Sequence, residues 1–262
     1  MATGEATKQK DEEARDTVTY VYGIVPGDVE ADPEARGVGD PPGKISVVRH
    51  GDIAALVSEI AADRPLGKPE DLTAHAQLLD AAAAETPVLP IRFGAAVSTQ
   101  DAVAEELLAE HHDEFAAALH ELEGRAQYVV KGRYVQQAIL SEILEESQEA
   151  AQLREQIRDQ PEDATRNERI ALGELVNNAI AAKRETDTAR MVEMLEPLAA
   201  TLNVREPTHE EDAVQVACLL ETAKQKELEE AVGSAAQEWE GRVELRVLGP
   251  LAPYDFVTTA QG

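Results

Sequence analysis

The stretch "QYVVKGRYV", Gln127–Val135, decides the fold. It is β-branched and aromatic, lacks proline, and starts just after "LEGR", whose glycine marks the C-terminal end of a helix. From here on the order reads strand, helices, strand, strand, helix, strand. Gln136–Ala200 is almost wholly helical and highly charged, and Pro161 within "RDQPEDAT" breaks it into two arms. The arms place Ile139, Leu140, Ile143, Leu144, Leu153 and Ile157 against Leu172, Leu175, Val176, Ala179, Ile180, Val192, Leu195 and Leu198, an antiparallel helical hairpin with charged outer faces. Leu202–Arg205 and Ala213–Leu220 read as strands, Thr222–Trp239 as a helix, and Arg242–Leu248 as a last strand with Val243, Leu245 and Val247 facing in. This β-α-β-β-α-β succession is the ferredoxin-like order, with a helical arm grown into its first crossover.

Upstream, "TVTYVYGIV" (Thr17–Val25) is apolar on both faces and reads as a central strand covered on both sides. Pro26–Gly43 is rich in Gly, Pro and Asp and reads as a loop; its "GVGDPPG" is mobile by composition and no phosphate cradle, because no helix follows. Ile45–Arg49 and Ile53–Val57 form a hairpin around His50-Gly51-Asp52. Glu70–Ala84 is a helix with Leu72, His75, Ala76 and Leu79 on its inner face, and Asp101–Leu122 is a second, with Val103, Leu107, Leu108, Phe115, Ala118, Leu119 and Leu122 inside. Between them "TPVLPIRFG" carries two prolines, so it is an edge strand or an irregular buried one. The expected organisation is α+β in two domains: a disordered acidic tail (1–16), an N-terminal domain of a small mixed sheet with helices (17–125), and a ferredoxin-like domain (126–257) whose inserted helical hairpin spans about 136–200, then a tail (258–262).

Composition narrows function. A formal net charge of −27 repels nucleic acid and anionic membranes, since both are bound through Lys and Arg. The acidity fits a very soluble cytoplasmic protein, a salty cytoplasm or a basic partner. The single cysteine, Cys218, allows neither an internal disulfide nor a cysteine metal site, and its apolar strand makes it an inert buried thiol. The N-terminal segment lacks the apolar stretch of a signal peptide, and no apolar run is long enough to span a membrane. His111 and His112 are adjacent and so diverge on a helix; they read as solvated, while His75 reads as a core histidine. No catalytic or nucleotide-binding motif and no cofactor signature is present.

Two segments stand out. "VLPIRFG" (Val88–Gly94) and "LGPLAPYDF" (Leu248–Phe256) each couple a strand end with proline, glycine and an aromatic, in a chain with only one Trp, five Tyr and three Phe. Gly94, Gly249, Pro250 and Pro253 are structural in this reading. Arg92, Phe93, Tyr254 and Phe256 either cap the core or present a docking patch.

Together, "TYVYGIV", "HAQLLDAAAAETPVLPIRFG" and "VELRVLGPLAPYDFV" resemble, in order and spacing, the signatures of the gas vesicle GvpF/GvpL family across about Thr17–Val257. Ala252 stands where that pattern usually has a second proline, and Ala95 where a threonine is common. The resemblance implies a two-domain, non-enzymatic accessory protein located at gas vesicles in the cytoplasm. It implies binding to the small hydrophobic shell protein and to other vesicle accessory proteins, and no cofactor. The alternatives are an enzyme or small-ligand binder on a ferredoxin-like scaffold, marked by a pocket around His75 or His50, and a generic coiled-coil scaffold built on the arm.

Overall fold

A computed structural model describes residues 17–257, a mixed α and β protein; the two expected tails lie outside the described residues. The chain forms two compact units. The first runs to Leu78 and resumes over Ile91–Ala116; the second holds Leu79–Pro90 and everything described from Ala117 on. The division therefore differs from one cut near Glu123–Ala126.

The first unit is built on β1 (Thr17–Pro26), buried along nearly its whole length. It pairs antiparallel with β5 (Ile53–Ala61), which pairs with β4 (Ser46–His50) across a tight turn at Gly51 and Asp52. Tyr22 is an extra residue in the β1–β5 ladder, a bulge between Val21 and Gly23. The Pro26–Gly43 loop expected from composition instead contains a small hairpin, β2 (Arg36–Gly39) and β3 (Pro42–Lys44). The physical reason is an anchor that composition hides. Val38 is fully buried, and its N–H donates to the Tyr22 hydroxyl at 2.7 Å, which lies 2.8 Å from Ser58 Oγ.

Helix α1 (Pro69–Ala83) forms as expected but rotated: it buries Asp71, His75, Leu79 and Ala83, while Leu72 is 48% exposed. Asp71 holds the inward position because Arg64 meets its carboxylate at 2.8 Å. Burial raises the Asp71 pKa, but the Arg64 pairing outweighs it and keeps the group below its ordinary value. "TPVLPIRFG" forms only the two-residue β6 (Leu89–Pro90), and β7 (Ala96–Val97) pairs with β1.

The continuous helix expected over Asp101–Leu122 is broken. A short α2 (Gln100–Ala102), capped by the Thr99 hydroxyl, runs into a π-turn over Val103–Leu108, and α3 (His112–Glu121) starts afresh. The π-turn brings Val103 and Leu108, five residues apart, both to full burial. Gly124, at φ +68°, ends this region.

The second unit is built on β8 (Arg125–Tyr134), the strand expected over Gln127–Val135. Its arm is α4 (Gln136–Glu146), α5 (Gln148–Ile157) and the long α6 (Arg166–Leu195), with a break at Ser147, whose side chain caps α5, besides the one at Pro161. Then follow β9 (Thr201–Val204), β10 (Asp212–Glu221), α7 (Gln225–Glu238) and β11 (Val243–Leu251). The four strands form one antiparallel sheet in the order β11-β8-β10-β9. One face carries the core of Tyr128, Val130, Tyr134, Val216, Cys218 and Val243, packed by Ile139, Ile143, Met191 and Leu195 of the arm and by Leu228, Val232 and Trp239. Burial pushes the Cys218 thiol up to about 11, so it stays protonated.

Candidate functional site

Arg92, Phe93 and Gly94 belong to the first unit, Tyr254 and Phe256 to the second. The surroundings of each group follow from the strand it ends.

Phe93 closes an aromatic cluster that β1 starts. The Tyr20 and Tyr22 rings are 4.8 Å apart, His75 stacks on Tyr22 at 5.6 Å, and Phe93 meets both Tyr20 and His75 edge-on at 6.1 and 5.6 Å. Tyr20 and Tyr22, two positions apart on β1, share the strand face that this cluster covers. Tyr20 Oη lies 2.9 Å from His75 Nδ1 and accepts the Gly94 N–H at 3.0 Å. The tyrosine hydroxyl and the imidazole thus share one buried hydrogen bond. Burial pushes the Tyr20 pKa up to about 12 and lowers that of His75, so the pair is neutral. Gly94 sits at φ +95°, a backbone region that side chains strain, which accounts for the glycine of "RFG". Phe93 is half-buried in this cluster, whereas Arg92 is exposed.

The closing stretch is part of its strand. The last strand was expected to end at Leu248, but β11 continues to Leu251, with its register slipping between Leu248 and Leu251. Gly249 and the cis-linked Pro250 form that irregularity. Gly249 adopts φ +141° and lies so close to the Tyr128 ring that a Cβ would stand 2.5 Å from it. Beyond it the chain is tied down at successive points. The Ala252 N–H donates to Asp80 Oδ1 at 2.9 Å, Pro253 is buried, and the Asp255 N–H donates to Gln127 Oε1 at 3.0 Å. The Asp255 carboxylate accepts from Arg205 Nε at 2.9 Å, from Arg205 Nη2, and from Asn203 at 3.1 Å. Burial raises the Asp255 pKa, but the Arg205 guanidinium outweighs it and holds the carboxyl below its usual range. Between these ties Tyr254 is 41% exposed, and Phe256, just beyond them, is half-buried.

The ties themselves, Asp80, Gln127, Arg205 and Asp255, were not legible as a set. Asp255 lies inside the quoted motif, but its partners Arg205, Asn203 and Gln127 are 50, 52 and 128 positions away, and one sequence carries no pairing signal across such distances. His112 stays at the surface but has carboxylate partners. Its Nε2 meets Asp52 Oδ1 at 2.6 Å and its Nδ1 meets Asp113 at 3.1 Å, which raises its pKa. It therefore clasps the β4–β5 turn instead of facing only solvent. Among the described residues no group of His, Cys, Asp and Glu is arranged to hold a metal ion, and no helix is long and apolar enough to cross a membrane.

Residues 18–258 match the protein family described as Gas vesicle synthesis protein GvpL/GvpF. The chain belongs to the GvpL/GvpF family. It is 34% identical over 243 residues to Gas vesicle protein F of Streptomyces sp. (strain CB03234), covering 91% of this chain and 99% of that protein. It is 33% identical over 129 residues, 44% of this chain and 47% of that protein, to Gas vesicle protein L of the same strain. In fold it is similar to the crystal structure of the gas vesicle protein GvpF from Anabaena sp. PCC7120, with a TM-score of 0.75, 23% identity, and coverage of 94% of this chain and 100% of that one. GvpL/GvpF membership supports a role in gas vesicle formation, and these relatives carry gas vesicle protein names, not enzyme names.

Proposed function

We propose that this GvpL/GvpF member is a non-enzymatic accessory protein of gas vesicle assembly. It works in the cytoplasm and at the vesicle, binding the small hydrophobic shell protein and other accessory vesicle proteins. It binds neither nucleic acid nor membrane and uses no cofactor. The observation that carries the docking role is the closing stretch: Tyr254 is exposed on a segment tied at Ala252 and at Asp255. A rigid segment loses little entropy when its aromatic is captured, which suits an anchor. Phe256 sits beside it, and Arg92 and Phe93 are the candidate contacts from the first unit. The acidic surface keeps aggregation-prone subunits apart by repulsion.

In this reading the chain has two α+β domains, 17–125 and 126–257. The strand order β11-β8-β10-β9 and the β-α-β-β-α-β connectivity support a ferredoxin-like C-terminal domain with an inserted arm. The test is co-purification with the shell protein. Tyr254→Ala and Phe256→Ala are expected to stay folded and to lose the shell protein; folded variants that still retain it refute the docking role of these two residues.

A further inference from the structure

The sheet of the second unit has an outer face, opposite its helix-packed core, and that face carries a row of cations. Arg246 lies directly opposite Lys131 in the β11–β8 ladder, Lys131 lies opposite Gln215 in the β8–β10 ladder, and the Arg205 N–H bonds the Gln215 carbonyl. Arg246, Lys131 and Arg205 are thus aligned across four strands of a chain with 24 basic and 51 acidic residues. The Arg205 end of the row is filled by the Asp255 carboxylate. The other end is open: Lys131, Arg133 and Arg246 line a cavity of about 180 Å³ together with Gln215, Asp212 and Glu244.

The cavity lining carries three cations, Lys131, Arg133 and Arg246, against two acids, Asp212 and Glu244. Asp212 Oδ2 accepts from the Thr208 N–H and hydroxyl, the His209 N–H and Gln215 Nε2, and its other oxygen reaches Arg133 only at 3.8 Å. Glu244 stands opposite Arg133 in the ladder. Among the described residues neither Lys131 nor Arg246 meets a carboxylate, and two like charges facing each other directly across a ladder destabilise a sheet. An unbalanced, repelling pair at the mouth of a cavity matches an incoming anion. Asp255 on Arg205 shows, a few strands away, which anion this face accepts and in what geometry.

We infer that Lys131 and Arg246 form a docking site for the carboxylate side chains of an acidic segment of a partner protein. The site is separate from Tyr254 and Phe256, so either can fail without the other. Two cations a strand spacing apart fit one carboxylate shared between them, or two carboxylates in alternate positions of an extended chain.

The test uses the full chain and a short peptide of alternating Glu and Ser, blocked at both ends, with its Gln counterpart and inorganic phosphate as comparisons. Fluorescence anisotropy at low ionic strength is expected to show binding of the Glu peptide only, weakening as salt is added. The double variant Lys131→Gln, Arg246→Gln is expected to lose about tenfold or more in affinity. Because the pair repels, each single variant is expected to melt about 1–3 °C higher than the native chain, which a merely structural pair would not do. Absence of Glu-peptide binding, equal binding of the Gln peptide, undiminished binding by the double variant, or a fall in melting temperature overturns the inference. Phosphate binding as tightly as the Glu peptide would also overturn it, leaving a general anion site.

Discussion

The Tyr134 hydroxyl donates to Asp187 Oδ2 at 2.6 Å, and the Arg242 guanidinium reaches the same oxygen at 2.9 Å while lying over the Tyr134 ring. This one carboxylate joins a sheet strand, the long helix of the arm and the start of the last strand. Glu142 extends the network, meeting Arg242 Nε at 2.7 Å and Lys183 at 2.6 Å. The attachment of the arm to its sheet is therefore polar as well as apolar.

Tyr134→Phe is expected to lower stability by about 1–2 kcal/mol, because it removes one donor but leaves Asp187 paired with Arg242. Arg242→Met is expected to cost more, about 3 kcal/mol, since Asp187 then stays buried without its cation. Urea unfolding of both variants gives the order, and the reverse order would count against Asp187 as the shared centre.

The β2–β3 hairpin predicts a coupled pair. A Cβ on Gly37 would stand 2.1 Å from Tyr22 Oη, so Gly37→Ala pushes that hydroxyl off Val38 and Ser58. Tyr22→Phe alone is expected to cost about 1–3 kcal/mol, because the buried Val38 N–H loses its acceptor. Combined with Gly37→Ala, the loss is expected to fall below the sum of the single losses by about 1 kcal/mol. A double-mutant cycle by chemical denaturation checks this, and strict additivity would contradict the contact.

Gly249→Ala is expected to destabilise the second unit by about 2–3 kcal/mol, since it combines a positive φ with a clash against the Tyr128 ring. Gly94→Ala, at φ +95° but with open space around its Cβ position, is expected to cost less, about 1 kcal/mol. Thermal melts of the two variants separate backbone strain from crowding.

Asp255 supplies a pH signature. Its folded pKa lies below its ordinary value, so the stability it contributes is present above the unfolded value near 4 and is lost as pH falls through the folded one. Asp255→Asn is therefore expected to melt below the native chain at pH 7, and the gap is expected to close in acid. A gap that stays constant down to about pH 3 would mean that the charge does not hold the closing stretch.

His112 titrates with the opposite sign. Asp113 and Asp52 raise its folded pKa, so its contribution is complete below an unfolded value of about 6.5 and is lost as pH rises through the folded one. NMR titration is expected to find His112 above that value, and Asp52→Asn is expected to bring it down while leaving His75 untouched.

The legible part of this fold was whatever periodicity carries. The strand over Gln127–Val135, the broken helical arm and the half-buried last strand all repeat apolar residues at a fixed spacing, and each formed where that spacing pointed. What stayed hidden was set by partners distant in sequence. Leu72 lost its inward place to Asp71 because Arg64 neutralises it. "GVGDPPG" looked like a mobile loop because its anchor, the Tyr22 hydroxyl, lies on another strand. The helix over Asp101–Leu122 breaks because a π-turn shifts its apolar phase between Val103 and Leu108. In the candidate site, the glycines and aromatics of both motifs could be picked out one by one, while Asp80, Arg205 and the Lys131–Arg246 opposition exist only once the strands are paired.

The passage of the chain between its two units bears on how it can be dissected. The backbone crosses from one unit to the other after Leu78, Pro90 and Ala116. No single cleavage point returns both units whole, and any two-fragment version splits at least one of them. Reconstitution from halves, or exchange of one half with a relative, must therefore carry Leu79–Pro90 along with the C-terminal portion to keep Asp80 together with Ala252.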